Sequence, residues 1–363
     1  MDRRNFLSTL AASAAAASFP NLATAQNFTP VPGRWRTFEL TTRVEVLKPA
    51  GITRAWIPVP VVDTTWQRPL SSTWSGNARV MERVGEPKYG ASLLYAEWTE
   101  SETAPAVELK SRFQTQNRLV DWSKKGADGE TAASLAKWTQ PTDLMPTDGI
   151  VKTTADEIVK GKTTDVDKVR ALYDWVVVNS YREPKVRGCG VGDIKVMLET
   201  GNMGGKCADL NALFVGMARS VGIPARDVYG VRVAKSEFGY KALGAGSADV
   251  TKSQHCRSEV HLADYGWVAM DPADVLKVMR EETPEWIKST SNELIVPVNA
   301  KLFGGWEGNW VAFNFAHDIS LPNSKGAKIA FLMYPQAENG GDRLDSLDPD
   351  NFKYRITATE VTA

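Results

Sequence analysis

A switch in hydrophobic period partway along the chain constrains its fold most. Phe38, Leu40, Thr42, Val44 and Val46 alternate with polar residues, the period-2 signature of a half-buried strand. Residues 55–59, Ser92–Trp98 and 106–113 read as further strands, and no long helical pattern interrupts 35–122. This stretch predicts a small antiparallel β-domain. Pro58 and Pro60 make 55–59 a strand that ends early or lies at a sheet edge. Residues 123–145 are polar, with Gly, Pro and Thr, and read as a linker. Beyond them the period becomes helical. Val166, Val169, Leu172, Tyr173 and Val176 share one face of a helix. A second helix is expected over 207–221, with Leu210, Leu213, Phe214, Met217 and Val221 as its apolar stripe. Gly204 and Gly205 precede it, Gly222 follows as a stop, and Pro224 lies just beyond. Strands resume at 226–233, 256–262 and 267–271, with a polar, Gly-rich loop over 234–254. Further strands are read at 309–315 and 328–333.

The N-terminus reads as an export signal. Arg3-Arg4-Asn5-Phe6-Leu7 is followed by a weakly apolar Ala/Ser stretch, then Pro20 and Ala23-Thr24-Ala25. A short apolar run before a small-x-small site marks a cleaved signal, and paired arginines with modest hydrophobicity fit the twin-arginine type. The run is too short and small-sided to span a bilayer, which takes about 20 apolar residues. The expected organisation is a signal peptide over 1–25, a β-domain over 28–122, a linker over 123–145, a core over 146–290 and a β extension over 291–363. The mature product is expected in the periplasm, free of the membrane. The 43 basic and 43 acidic side chains leave no net field for nucleic acid or an anionic surface, so no nucleic-acid partner is expected.

Three cysteines and three histidines are too few for a disulfide scaffold or a zinc array, so the position of each matters. Cys207 opens a helix behind Gly204-Gly205-Lys206. There the positive end of the macrodipole and free N–H groups favour thiolate, and the glycines allow a tight turn and close approach of a substrate backbone. A thiolate nucleophile needs an imidazole, and the imidazole an orienting group. The hairpin over 254–271 chooses among His255, His261 and His317. If Leu262 pairs with Gly266 across three residues, Arg257 opposes Asp271. His255 then lies diagonal to Asp271 on the same face, about 7–8 Å away at Cα. His261 would instead oppose Trp267. A loop of even length would put His255 and Asp271 on opposite faces, so spacing alone leaves both arrangements open. Cys207, His255 and Asp271 also resemble a zinc-ligand set, but no second His or Cys pair completes it; no metal or cofactor is expected. Trp66 with Trp74, or Trp306 with Trp310, would suit a sugar platform, yet scattered tryptophans fit cores and interfaces better. Cys189, in Arg187-Gly188-Cys189-Gly190, and Cys256 are a candidate disulfide that would brace the site in an oxidising compartment.

Taken together, Gly-Gly-Lys-Cys207 before an apolar helix, Gly222-Ile223-Pro224-Ala225-Arg226, His255 and Tyr265-Gly266-Trp267-Val268-Ala269-Met270-Asp271-Pro272 resemble the bacterial transglutaminase-like superfamily. The resemblance covers about 165–275. It implies an α+β fold with a papain-like core, in which a helix carrying Cys packs on an antiparallel sheet carrying His and Asp. It also implies Cys207 as nucleophile, His255 as base and acid, and Asp271 as the orienting carboxylate, acting on a peptide or protein amide through a thioester. The oxyanion would be held by the Cys207 N–H and a side chain after the preceding helix, for which Tyr181 is the candidate. His255-Cys256-Arg257 stands where many members have His-Ala-Trp, which sets the chain apart from animal cross-linking enzymes. A cysteine peptidase-like hydrolase is the leading expectation; a non-catalytic binding or assembly module on the same fold and a true protein transamidase are the competing ones.

Overall fold

The computed structural model describes residues 27–126 and 129–361; the export-signal reading of 1–25 lies outside them. Strand Arg36–Val46 buries Phe38, Leu40, Thr42, Val44 and Val46 and leaves the residues between them less covered, as its alternation demands. It lies in a four-stranded antiparallel sheet ordered Phe352–Glu360, Arg36–Val46, Ala106–Thr115, Gln67–Gly76. A second sheet runs Asp342–Arg343, Gln336–Asn339, Thr53–Pro58, Ser92–Trp98, Val80–Gly85. Val44, Val46, Val107 and Leu109 of the first sheet meet Ala55, Ile57, Leu94 and Ala96 of the second. Burial of such side chains is worth roughly 1.5–3 kcal/mol each, and it explains why odd and even positions differ along Arg36–Val46 and Ala106–Thr115, while Thr53–Pro58 and Ser92–Trp98 are covered on both faces.

Strand Thr53–Pro58 sits inside its sheet and stops at Pro58, so the proline ends the strand without marking an edge. Gln67–Gly76 and Val80–Gly85 escape a hydrophobicity reading because both are edge strands with largely exposed side chains.

The third sheet carries the site: Gly266–Met270, Gln254–Leu262, Ala225–Arg232, Trp310–Asn314. Against it packs helix Cys207–Ser220, which is buried along its whole length. Its outer side is covered by helices Gly149–Val159, Asp165–Asn179 and Pro272–Glu281 through a shared core that includes Val151, Leu172, Leu213, Phe214 and Val275. Gly222, at φ 83°, closes the helix: its N–H bonds to the Arg219 carbonyl and that of Ile223 to the Ala218 carbonyl, a left-handed stop of the expected kind. The architecture is therefore α+β, with a papain-like helix-on-sheet core and β layers beside it.

Residues after 291 do not stand apart. Trp310–Asn314 joins the third sheet, Gln336–Asn339 the second and Phe352–Glu360 the first. The stretch over 123–145 contains a short helix, Ala132–Ala136, and a 3-10 turn, Lys137–Thr139, anchored by buried Trp138. Trp66, Trp306 and Trp310 are buried and pack on one another, and Trp74 packs against the sandwich core; the core reading holds for them. Among the described residues no helix is long and apolar enough to cross a membrane.

Candidate active site

The start of the cysteine helix is fixed by Asp209, in its first turn. The Asp209 carboxylate accepts from the backbone N–H groups of Lys206, Val191 and Gly192, each at 2.9 Å. The Ala208 N–H donates to the Cys189 carbonyl at 2.9 Å. These bonds hold the loop over 189–192 against the helix N-terminus, where orphan donors need acceptors. Gly190 is required there. Its φ is 94° and a Cβ would lie 1.8 Å from Asp209 Oδ2. Gly190→Ala is expected to destabilise the fold by about 2–4 kcal/mol, from left-handed strain and overpacking, read as a lowered urea midpoint. An unchanged midpoint would mean that this loop is not locked to the helix.

The histidine strand, Gln254–Leu262, pairs with Gly266–Met270 through Leu262 opposite Gly266, His261 opposite Trp267 and Ser258 opposite Met270. This is the odd-loop register, and it brings His255 to Asp271. His255 Nε2 lies 2.8 Å from Asp271 Oδ2, which leaves Nδ1 as the ring nitrogen free to serve Cys207. Asp271 is held from three more directions. Its Oδ1 accepts from the Asp274 N–H at 3.1 Å, capping helix Pro272–Glu281, and from Asn211 Nδ2 at 3.3 Å. Arg257 Nε is 3.6 Å from Oδ2. Arg257 is itself clamped, donating to the Glu307 carbonyl at 2.9 Å and lying over Trp310 and Trp306.

A second carboxylate stands behind the first. Asp274 Oδ1 is 3.4 Å from His255 Nε2 and bonds to the Arg232 guanidinium. Burial disfavours its charge, but Arg232 and then His255 outweigh it and hold Asp274 well below the usual carboxylate range. Burial also opposes the charge on His255, yet Asp274 and Asp271 prevail and the imidazole is pushed up to about 9. The Cys207 thiol is held well below its ordinary value by hydrogen bonds with Cys189 and Cys256, with His255 adding to them against burial. The site therefore favours a thiolate–imidazolium pair. His255, Asp271 and Asp274 bring one ligand atom each within 4.8 Å of one another. Arg232 and Arg257 already supply the positive charge there, in place of a cation.

Cys207 and His255 open onto a cleft of about 450 Å³. The expected loop contributes its end, Thr251–Gln254, together with Gly244. Tyr334 and Leu347, from the connections between the C-terminal strands, and Tyr354, from strand Phe352–Glu360, form another wall, which the sequence alone does not place at the site.

Two expectations are corrected. Tyr181 does not line the cleft. The two-residue strand Tyr181–Arg182 pairs with Gly204–Gly205, and successive side chains of a strand point oppositely. Arg182 takes the cleft side, while Tyr181 packs on Trp286 and its hydroxyl reaches Asn202 at 3.5 Å. The Cys189–Cys256 pair is unbonded in this structure: all three cysteines are free, and the Cys189 thiol donates to the Gln254 carbonyl at 3.4 Å. Neither His261, edge-on to Trp267, nor His317, buried beside Tyr229 and Asp227, lines the cleft.

Asn211, Asp274, Arg232 and Gln254 were not singled out from sequence. Asn211 lies four residues after Cys207, on the same helix face, which was the available signal. Arg257 was legible as the residue opposite Asp271. Gln254 precedes His255 and lines the cleft; its Nε2 is buried with no hydrogen-bond partner.

The family core of the transglutaminase-like superfamily matches residues 152–272, a span that takes in Cys207, His255 and Asp271. An uncharacterized protein of Haemophilus influenzae is 36% identical over 344 residues, which is 89% of this chain and 91% of that protein. The chain belongs to the transglutaminase-like superfamily. Among solved structures, a candidate cysteine protease of Cytophaga hutchinsonii has the same fold, with a TM-score of 0.55 at 14% identity over 92% of this chain and 93% of that one. The periplasmic domain of TgpA from Pseudomonas aeruginosa is similar at a TM-score of 0.33 and 15% identity, over 70% of this chain and 91% of that one.

Proposed function

We propose that the chain is a periplasmic Cys–His–Asp enzyme that cleaves peptide, isopeptide or glutamine-type amide bonds through a thioester, with water as acceptor, and that it reaches the periplasm by the twin-arginine route. The observation that carries this reading is Cys207 at the first position of its helix beside His255, itself 2.8 Å from Asp271, at the wall of one cleft.

In this mechanism the Cys207 thiolate attacks the amide carbonyl, forming the carbon–sulfur bond and placing charge on the oxygen. The Cys207 N–H, which has no intrahelical acceptor as the first helical residue, and the unpartnered Gln254 amide receive that oxyanion. His255 gives its proton to the leaving nitrogen as the carbon–nitrogen bond breaks. The neutral imidazole then takes a proton from water, whose oxygen displaces the thiolate and releases a carboxylic acid.

The test is to profile the purified mature enzyme against peptide and amide libraries, with and without an added primary amine, by mass spectrometry. Acid products are expected in both conditions; products only with the amine present would make it a transamidase. Gln254→Ala is expected to lower kcat about 10²-fold with KM little changed, since the bond it removes forms in the transition state. An unchanged kcat would remove Gln254 from the mechanism.

A further inference from the structure

Besides His255, six lysine and arginine side chains and no carboxylate line the cleft at Cys207: Arg182, Arg187, Lys206, Arg232, Lys252 and Lys277. Three already have counter-ions. Arg182 is 2.9 Å from Glu281, Arg187 2.6 Å from Asp345, and Arg232 is bonded to Asp274. Among the described residues, Lys206, Lys252 and Lys277 have no carboxylate within salt-bridge distance. Lys277 is the telling one. It is partly buried on helix Pro272–Glu281, and its surroundings include two guanidiniums. Burial and then Arg232 push its ammonium down to about 8, with Arg182 acting in the same sense and Asp274 and Glu281 opposing them. A charge removed from water without a partner is costly, and a bound anion would offset that cost. The chain as a whole has no net charge, so this excess is local to the cleft.

We propose that the cleft recognises an acidic peptide, an acyl donor with a carboxylate close to the scissile amide, anchored by Lys277 and steered by Lys206 and the exposed Lys252. This rests on the reading of Cys207 as nucleophile.

Iodoacetate and iodoacetamide test it without knowledge of the substrate, because they carry the same electrophilic carbon and differ in a carboxylate against a neutral amide. The rates of Cys207 alkylation by each are measured on the mature protein, with N-acetylcysteine amide as a free-thiol reference. The iodoacetate-to-iodoacetamide ratio is expected to exceed the reference by about fivefold or more, the factor for one partly screened charge pair, and to fall with added salt. Lys277→Met is expected to lower the ratio and Lys277→Arg to restore it, which separates Lys277 from the imidazolium present in every variant. Should Lys277→Met not fold, the salt dependence and the exposed-site variant Lys252→Gln, with a smaller fall in the ratio, decide the matter. A ratio equal to the reference and insensitive to salt and to both lysines overturns the proposal while leaving the nucleophile in place. Failure of iodoacetamide to label Cys207 overturns the nucleophile reading, and this proposal with it.

Discussion

Cys207→Ala is expected to lose amide turnover by about 10⁶-fold, the scale for removing a nucleophile that acts as one unit with its base, while the protein stays folded. The neighbouring thiols cannot substitute. Cys189 is raised well above its ordinary value by its hydrogen bond with Cys207 and by burial. Cys256 is raised by burial and then by Cys207. Removing Cys207 therefore leaves two protonated, buried thiols, of which Cys189 donates to the Gln254 carbonyl at 3.4 Å. The substitution removes a buried anion and little volume, and the imidazolium keeps Asp271 and Asp274 beside it. The melting temperature should therefore change little. Turnover that survives in Cys207→Ala would place the chemistry on another residue.

Asp271 is expected to show two separable effects, because it serves two elements at once. Asp271→Asn keeps an oxygen to accept from the Asp274 N–H and so keeps the helix cap. It loses the charge that orients His255, at about 10⁴-fold in kcat, the cost of the wrong tautomer in a comparable triad. Asp271→Ala loses the cap as well, about 1 kcal/mol. It also leaves buried Asn211 facing a gap, whereas the loss of the buried charge beside Arg257, about 3–5 kcal/mol, is common to both variants. Activity assays beside thermal melts of the two variants separate these roles: similar activity losses with unequal stabilities are expected. Linkage adds a sign. The imidazole is raised in the folded state from 6.5 to about 9. Its contribution to stability is thus fully present below about 6.5 and is lost as pH rises through about 9. Removing the Asp271 charge lowers the folded-state value, so in Asp271→Asn this contribution is smaller and is fully lost at lower pH. Equal stability of the alanine and asparagine variants at every pH would contradict the capping role.

Much of the site was legible because it is local. The glycine pair before Cys207 and the stop at Gly222 define one helix within 20 residues, and the three-residue turn over 263–265 sets the parity that joins His255 to Asp271. What was not legible is what depends on distant pairing. Strand Phe352–Glu360 lies against Arg36–Val46, some 300 residues away, and no period within either strand announces its partner. The cleft wall of Tyr334, Leu347 and Tyr354 depends on that pairing. Tyr181 failed for a smaller reason. Two residues of strand send Arg182 inward and Tyr181 outward, and two residues are too few for a period to be read. Asp274 was hidden by its position in the first turn of a helix, where an acidic residue is ordinary dipole compensation; only the tertiary fold puts Arg232 and His255 against it.

The central claim is that Cys207 is a thiolate paired with a protonated His255. It is tested most directly by the pH dependence of iodoacetamide alkylation, read by peptide mass spectrometry at each cysteine of the mature protein. The account predicts labelling at Cys207 that persists well below the pH at which an ordinary thiol of pKa about 8.5 becomes reactive. A second inflection is expected near 9, where the imidazolium gives up its proton. Cys189 and Cys256 should stay unlabelled until the protein unfolds. A single ordinary thiol titration at Cys207, or preferential labelling of either neighbour, would contradict it.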